Sequence, residues 1–257
     1  MKLKALEMAL STGHNGSHIG GGFSSMEIFT TLMDVCNLGV DEDRDRIIVS
    51  KGHCVLSYYT ALWKHGYISE EELSTFDKNG TRFHGHPHRD LFHGIDFSGG
   101  SLGLGISYAV GVAYACKRKG LKNKIYVILG DGECDEGIVW ESLMSISAFG
   151  LDNMVLIVDR NQLQLDGLTK DVMNMFSLED KFRAFGFDVD TVDGHSIEAL
   201  NHILSKETMK QRVIIADTKK AHGISFLEGK KESHQCPITE EQYKQAVEEI
   251  KLAYNEI

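Results

Sequence analysis

The chain alternates between short runs of apolar residues and longer stretches in which apolar residues recur at helical spacing. The apolar runs predict strands at 47–49, 125–129, 154–158, 189–192 and 213–216. The helical spacing predicts helices at 104–117, 138–149, 178–185 and 197–205, and a closing helix over 240–257. Alternating strands and helices form βαβ units, so the expected fold class is α/β, with a mostly parallel sheet covered by helices on both faces.

The pattern is not interrupted by a linker or a repeat. The 257 residues include only two prolines, Pro87 and Pro237, and no stretch rich in proline, glycine and serine divides them. A chain of this length can bury a substantial core. We therefore expect a single domain spanning residues 1–257.

Charge and composition exclude several classes of protein. Lys and Arg number 27 against 37 Asp and Glu, which gives a net charge of −10 and argues against a nucleic-acid partner. No apolar run approaches the roughly 18 residues of a membrane span, and the first ten residues do not resemble a signal peptide. The five cysteines form no CxxC pair, so free thiols are expected. The interpretation is a cytoplasmic protein without a membrane partner.

Two polar residues follow neighbouring predicted strands. Asp131 comes after the strand at 125–129, and Asn161 comes after the strand at 154–158. A right-handed βαβ crossover brings both to the carboxyl edge of the sheet, where open α/β sheets bind ligands. Carboxylate and amide oxygens suit Mg²⁺ or Ca²⁺ better than zinc. The pair therefore predicts a site for a divalent cation.

Glycines beside this pair indicate a phosphate ligand. Gly130 and Gly132 allow a close approach of the backbone, and a helix beginning near Gly137 would direct free N–H groups towards an anion. The chain has no GxxxxGK[ST] motif, so this is not a P-loop. Taken alone, the Gly-Asp-Gly tripeptide could be only a tight turn. The glycine-rich loop at 99–105 does not have dinucleotide-binding spacing, and it predicts close backbone contact with a flat ring.

The 12 histidines include several that lie directly after glycine, among them His14, His53 and His86. Histidine is the side chain best suited to proton transfer near neutral pH. His84, His86 and His88 alternate, and on a strand they could form a metal site. Pro87 lies between two of them and argues against a regular strand.

These segments resemble the transketolase family. The metal motif is specific by itself, and the other segments occur in family order over nearly the whole chain. The matching segments are 11–16 (STGHNG), 50–53 (SKGH), 85–87 (GHP), 100–103 (GSLG), 130–137 (GDGECDEG) and 159–167 (DRNQLQLDG).

The resemblance implies a thiamine-diphosphate-binding fold, with thiamine diphosphate and Mg²⁺ (or Ca²⁺ or Mn²⁺) as cofactors. The metal ligands would be Asp131, Asn161 and the backbone carbonyl of Leu163. The residues expected to contact the cofactor are His53, Gly100, Leu102, Gly132, Lys220 and His234. The catalytic residues facing the substrate would be His14, His86 and His234.

The resemblance also implies that this chain is one part of an enzyme. Full-length transketolases are more than twice as long, and the glutamate that activates the aminopyrimidine belongs to their next domain. The expected protein is the N-terminal subunit of a split transketolase, in an α2β2 assembly with a C-terminal subunit that carries the pyrimidine-binding domain. The pair would transfer a two-carbon ketol unit from a ketose to an aldose.

Three alternatives remain open at this point. A subunit of another split thiamine-diphosphate enzyme, such as a 2-oxoacid decarboxylase or dehydrogenase, would share Asp131 and Asn161 but would not require the Gly-His loops. A metal-dependent hydrolase would use His84, His86 and His88. A non-catalytic homologue would not need an intact metal motif.

Overall fold

The computed structural model describes residues 1–39 and 41–255. Residues 256 and 257 of the expected closing helix lie outside the described residues. In the described part of the chain all five cysteines are free thiols, as expected. No helix there has both the length and the apolar composition required to cross a membrane.

A parallel sheet forms the centre of the molecule. Its strand order is β1-β2-β3-β5-β4, and every pair of neighbours is parallel. The α/β fold class and each expected strand are therefore confirmed. The strands are β1 (Arg46–Val49), β2 (Ile125–Gly130), β3 (Met154–Arg160), β4 (Asp188–Asp193) and β5 (Arg212–Asp217).

Helices cover both faces of this sheet. The four interior helices expected from the sequence correspond to α6, α7, α9 and α10, with each end within one residue. The helices before β1 and those between β1 and α6 were not assigned from the sequence. The helices are α1 (Lys2–Ser11), α2 (Ile19–Ser24), α3 (Met26–Val35), α4 (Val55–Lys64), α5 (Glu70–Leu73), α6 (Leu104–Arg118), α7 (Gly137–Ala148), α8 (Thr169–Val172), α9 (Leu178–Ala184), α10 (Ile197–Leu204) and α11 (Glu240–Asn255).

The two faces of the sheet belong to two separate apolar cores. Tyr126 and Ile128 of β2 face a core that includes α1 to α4, α10 and α11. Ile125, Val127 and Leu129 of the same strand face a core that includes α6, α7 and α9. Both faces are buried, so every position of β2 is apolar or glycine and the strand has no polar side.

A buried ion pair joins the carboxyl ends of β1 and β3. Lys51 follows β1 and Asp159 lies in β3, and the two side chains are 1% and 0% exposed, with Nζ and Oδ2 2.5 Å apart. The hydroxyls of Ser24 in α2 and Thr218 after β5 also donate to Asp159. Four segments are thus tied to one carboxylate at the edge of the sheet where ligands are expected.

Removing the charge of Asp159 should destabilise the fold strongly. In Asp159→Asn the Lys51 ammonium would remain buried without a counter-charge, so we expect the free energy of unfolding to fall by about 3–5 kcal/mol. Urea denaturation followed by circular dichroism measures this loss. The matched control is Asp180→Asn, which breaks the exposed pair with Arg183 and should cost less than about 1 kcal/mol. Equal, small losses in both variants would contradict this role of the ion pair.

Candidate functional site

A cavity of about 260 Å³ opens at the carboxyl edge of the sheet. Its lining comes from the loops that follow β1, β2 and β3, together with the start of α2 and three loops from elsewhere in the chain. The lining residues are His18, Lys51, His53, His86, Gly100, Leu102, Gly130, Asp131, Gly132, Glu133, Asn161, Leu163, Gln164, Leu165 and His234.

Asp131 and Asn161 lie together in this lining. The oxygens of Asp131 accept hydrogen bonds from the backbone N–H groups of Gly132, at 2.9 Å, and Gln162, at 2.6 Å. The amide oxygen of Asn161 accepts from the N–H of Leu163 at 3.1 Å. Burial, together with the nearby Asp159, raises the pKa of Asp131 to about 6. A cation next to Asp131 would stabilise its charged form.

A cationic side chain already contacts the third expected ligand. Lys220 Nζ donates to the carbonyl oxygens of Leu163, at 3.1 Å, and Gln164, at 3.2 Å, and it lies 3.1 Å from His234 Nδ1. Burial, with a contribution from Lys51, lowers the pKa of Lys220 to about 8. The Leu163 carbonyl can therefore hold a cation. Together with Asp131 and Asn161 it gives the oxygen-only donor set that fits Mg²⁺ or Ca²⁺.

Glycines bring the backbone close to the cavity. A Cβ atom on Gly132 would lie 2.7 Å from Gln164 Cγ, and one on Gly52 would lie 2.8 Å from the nitrogen of Gly100. Gly100 has φ +135°, a conformation that favours glycine. The expected helix does begin at Gly137, but a 3-10 turn over Gly132–Asp135 intervenes. Gly137 does not line the cavity, so the turn rather than α7 borders it.

Glu133 forms hydrogen bonds to three of the segments around the cavity, and this role was not predicted from the sequence. It is 2% exposed, and Oε1 accepts from the Ser50 hydroxyl at 2.5 Å and from the Gly103 N–H at 2.8 Å. Oε2 accepts from the Gly130 N–H at 3.0 Å. Glu133 thus holds the loop of Gly100 and Leu102 next to the strand ends. Glu133 lies two residues after Asp131 in the sequence. Its partners Ser50 and Gly103 are distant from it in the sequence, so its hydrogen bonds could not be predicted.

Four imidazoles cluster in the cavity. The ring centroids of His18 and His86 are 5.0 Å apart, those of His18 and His234 are 5.6 Å apart, and those of His53 and His234 are 5.0 Å apart. Burial lowers the pKa of His18 and of His234 to about 4. Burial also lowers the pKa of His86, and that of His53 falls well below its usual value. All four rings are therefore neutral at pH 7.

The structure does not bring His14 to this cavity. His14 is exposed, in a 3-10 turn after α1, while His18 lines the cavity four residues later. Paired backbone hydrogen bonds of 3.1 Å between Ser17 and Cys236 hold the start of α2 beside the loop of His234. The sequence signal for His18 was its place before three glycines, which allow α2 to pack closely.

The structure agrees with the argument from Pro87 against a metal site at His84, His86 and His88. Among the described residues no group of three or more His, Cys, Asp or Glu side chains could hold a metal ion. The segment around Pro87 forms no strand. Only His86 of the three lines the cavity at the carboxyl edge of the sheet.

Comparison with known proteins identifies the family of the chain. The family model of the transketolase thiamine diphosphate binding domain matches residues 2–256. One of the subunits of the apulose-4-phosphate transketolase of Actinobacillus succinogenes is 38% identical over 92% of this chain and 88% of that protein. A 6-deoxy-6-sulfo-D-fructose transketolase subunit of a Clostridium species is 40% identical over 91% of this chain and 88% of that protein.

Solved structures give the same result for the fold. The transketolase of Campylobacter jejuni superposes with a TM-score of 0.88 at 30% identity, over 97% of this chain and 41% of that one. The transketolase of Leishmania mexicana superposes with a TM-score of 0.80 at 27% identity, over 95% of this chain and 40% of that one. The chain thus spans about two fifths of the length of these solved enzymes. It belongs to the transketolase family and has the fold of its thiamine diphosphate binding domain.

Proposed function

We propose that the chain is the N-terminal subunit of a split transketolase, which transfers a two-carbon ketol unit from a ketose to an aldose together with a second chain. The main support for the proposal is the cluster of four imidazoles beside Asp131 and Asn161 in one cavity. Two similar proteins are named as transketolase subunits, and this chain covers 88% of each.

The cofactor would lie between the metal donors and the glycine loop. Asp131, Asn161 and the carbonyl of Leu163 would hold Mg²⁺, or Ca²⁺ or Mn²⁺. When bound, thiamine diphosphate supplies the carbanion that accepts and releases the ketol unit. The residues proposed to contact the cofactor are His53, Gly100, Leu102, Gly132, Lys220 and His234.

The histidines would transfer protons to and from the substrate. A neutral imidazole can accept a proton from a substrate hydroxyl, and it can return the proton in a later step. We assign this work to His18, His86 and His234, which line the cavity. In this proposal His18 would have the role that the resemblance implied for His14. Neutral rings also donate hydrogen bonds to developing negative charge without requiring a buried positive charge.

The second chain would complete the site. About three fifths of each comparison enzyme, from Campylobacter jejuni and Leishmania mexicana, lies outside the part that this chain matches. That length would be supplied by a C-terminal subunit with the pyrimidine-binding domain. The proposed assembly is α2β2. We place it in the cytoplasm, where the five cysteines remain reduced.

Ketol transfer itself tests the proposal. The chain, the product of its neighbouring gene, Mg²⁺ and thiamine diphosphate should together transfer ketol units within a broad panel of ketoses and aldoses, and either chain alone should not. Activity on a 2-oxoacid in place of ketol transfer would favour the rival decarboxylase or dehydrogenase function. Absence of transfer from the whole panel would contradict the proposal.

Asp131 should be required for cofactor binding. In the complex, Asp131→Asn removes the charged metal ligand, and we expect thiamine diphosphate affinity in Mg²⁺ to fall roughly 10- to 100-fold, since a contact to a charged group contributes about 1.5–3 kcal/mol. Isothermal titration calorimetry measures the change. Asp152→Asn, which alters an exposed carboxylate paired with Lys117, is the control and should bind normally. Unchanged affinity in Asp131→Asn would refute the metal assignment.

Two alanine variants separate His18 from His14. His18→Ala removes a ring from the cavity and should lower kcat/KM for ketol transfer about 100-fold or more, the usual contribution of acid–base catalysis. His14→Ala changes an exposed side chain outside the cavity and should remain within about twofold of wild type. Steady-state assays of both complexes decide the question. The reverse pattern would restore His14 as the catalytic residue.

The charge state of the rings can be observed directly. Because burial lowers the pKa of His18 and of His234 to about 4, both rings should still be neutral at pH 6, where a histidine in the unfolded chain is more than half protonated. The ¹⁵N chemical shifts of the imidazole nitrogens report this state. A protonated ring at either position at pH 6 would show that the cluster does not exclude charge.

A further inference from the structure

A second cavity, of about 380 Å³, adjoins the cofactor cavity. The two cavities share His18 and His86 in their linings, so they meet at these two rings. The other side chains used below are those of Ser17, Asp77, His84, His88 and Gln235, which also line the second cavity. The proposed chemistry at the cofactor uses none of these five.

The histidine-bearing loop at 84–88 is held in place at several points. The ring of His18 donates to the backbone carbonyl of Gly85, and the Gly85 N–H donates to Asp77 Oδ1 at 3.2 Å. The carbonyl of Pro87 accepts from the N–H of Gly99 at 2.8 Å. The rings of His84 and His88 lie with centroids 4.5 Å apart. The loop backbone is therefore held in place, and it presents a pair of neighbouring imidazoles.

The lining suits hydroxyl groups. Imidazole, amide and hydroxyl groups both donate and accept hydrogen bonds, as sugar hydroxyls do. Within the described chain no Lys or Arg lines this cavity, and Asp77 adds a carboxylate. A phosphate or sulfonate there would face a like charge without a cation. The Ser17 hydroxyl is buried and has no hydrogen-bond partner among the described residues.

We propose that this second cavity is a subsite for the uncharged, hydroxyl-bearing end of a sugar whose reacting carbon lies in the cofactor cavity. His84 and His88 are its specificity-determining residues, and Asp77 selects against an anionic end. The inference rests on the proposed function, because it needs a sugar at the cofactor. Both cavities border the rings of His18 and His86, so a sugar bound across these two rings would reach from the first cavity into the second.

The test compares a short and a long acceptor in the complex with its partner subunit, Mg²⁺ and thiamine diphosphate, with one ketose donor held saturating. Glycolaldehyde has two carbons and is too short to reach the subsite, whereas D-ribose can extend into it. In the double variant His84→Ala, His88→Ala we expect KM for D-ribose to rise about tenfold, with kcat, KM for glycolaldehyde and thiamine diphosphate affinity within about twofold of wild type.

The matched control is His202→Ala, which changes an exposed histidine on α10 and should alter neither KM. An unchanged KM for D-ribose in the double variant, or equal increases for both acceptors, would overturn the subsite. If the wild-type complex transfers no ketol unit to any acceptor, the proposed function fails and the subsite fails with it. If the wild-type complex transfers a ketol unit to glycolaldehyde, the proposed function holds. An unchanged KM for D-ribose in the double variant then counts against the subsite alone.

Asp77→Asn tests the selection against charge. Asparagine keeps the oxygen that accepts from Gly85 but removes the negative charge. We expect KM for D-ribose 5-phosphate to fall about fivefold, while KM for D-ribose changes less than about twofold. A ratio of the two KM values equal to that of wild type would show that the carboxylate does not select for an uncharged end, and it would overturn that assignment.

Discussion

A buried ion pair between Lys51 and Asp159 ties the ends of β1 and β3 together directly beneath the cofactor cavity. Removing two charges from water is costly, and this pair is accommodated because hydroxyls of Ser24 and Thr218 also bond Asp159. The same two charges act on the site itself. Lys51 lines the cavity, and the proximity of Asp159 contributes to the raised pKa of Asp131.

Two kinds of group lie side by side in this cavity. Asp131, Asn161 and the Leu163 carbonyl present oxygens, and Lys220 supplies a positive charge beside them. The histidine rings are neutral, because they are buried and several of them lie near lysines. His234 lies next to both sets, because its Nδ1 is 3.1 Å from Lys220 Nζ.

Much of this arrangement could be predicted from the sequence, because parallel strands with two buried faces appear as continuous apolar runs. Because parallel strands point in the same direction, Asp131 and Asn161, which follow neighbouring strands, could be predicted to lie at one edge of the sheet. The N-terminal helices were harder to predict, because α2 contains three successive glycines, which disfavour a helix unless close packing requires them. A Cβ atom on Gly21 would lie 2.8 Å from His53 Cδ2, and this close contact is not visible in the sequence.

The position of His14 outside the cavity has a similar cause. An adjacent glycine made both His14 and His53 candidates, and His53 does lie next to His234. The other ring next to His234 is that of His18, because the backbone of Ser17 pairs with that of Cys236. Asp159 and Glu133 were missed because the serine hydroxyls that donate to them lie 135 and 83 residues away in the chain. Local pattern identifies candidate residue types, whereas long-range hydrogen bonds determine which of them share a cavity.

We propose that this chain holds one part of a cofactor site that a second chain completes. Isothermal titration calorimetry can measure thiamine diphosphate affinity in Mg²⁺ for this chain alone and for its complex with the proposed C-terminal partner. We expect much tighter binding in the complex, with one thiamine diphosphate for each pair of the two chains. Equal affinity in the absence of the partner would show that the second chain does not complete the site.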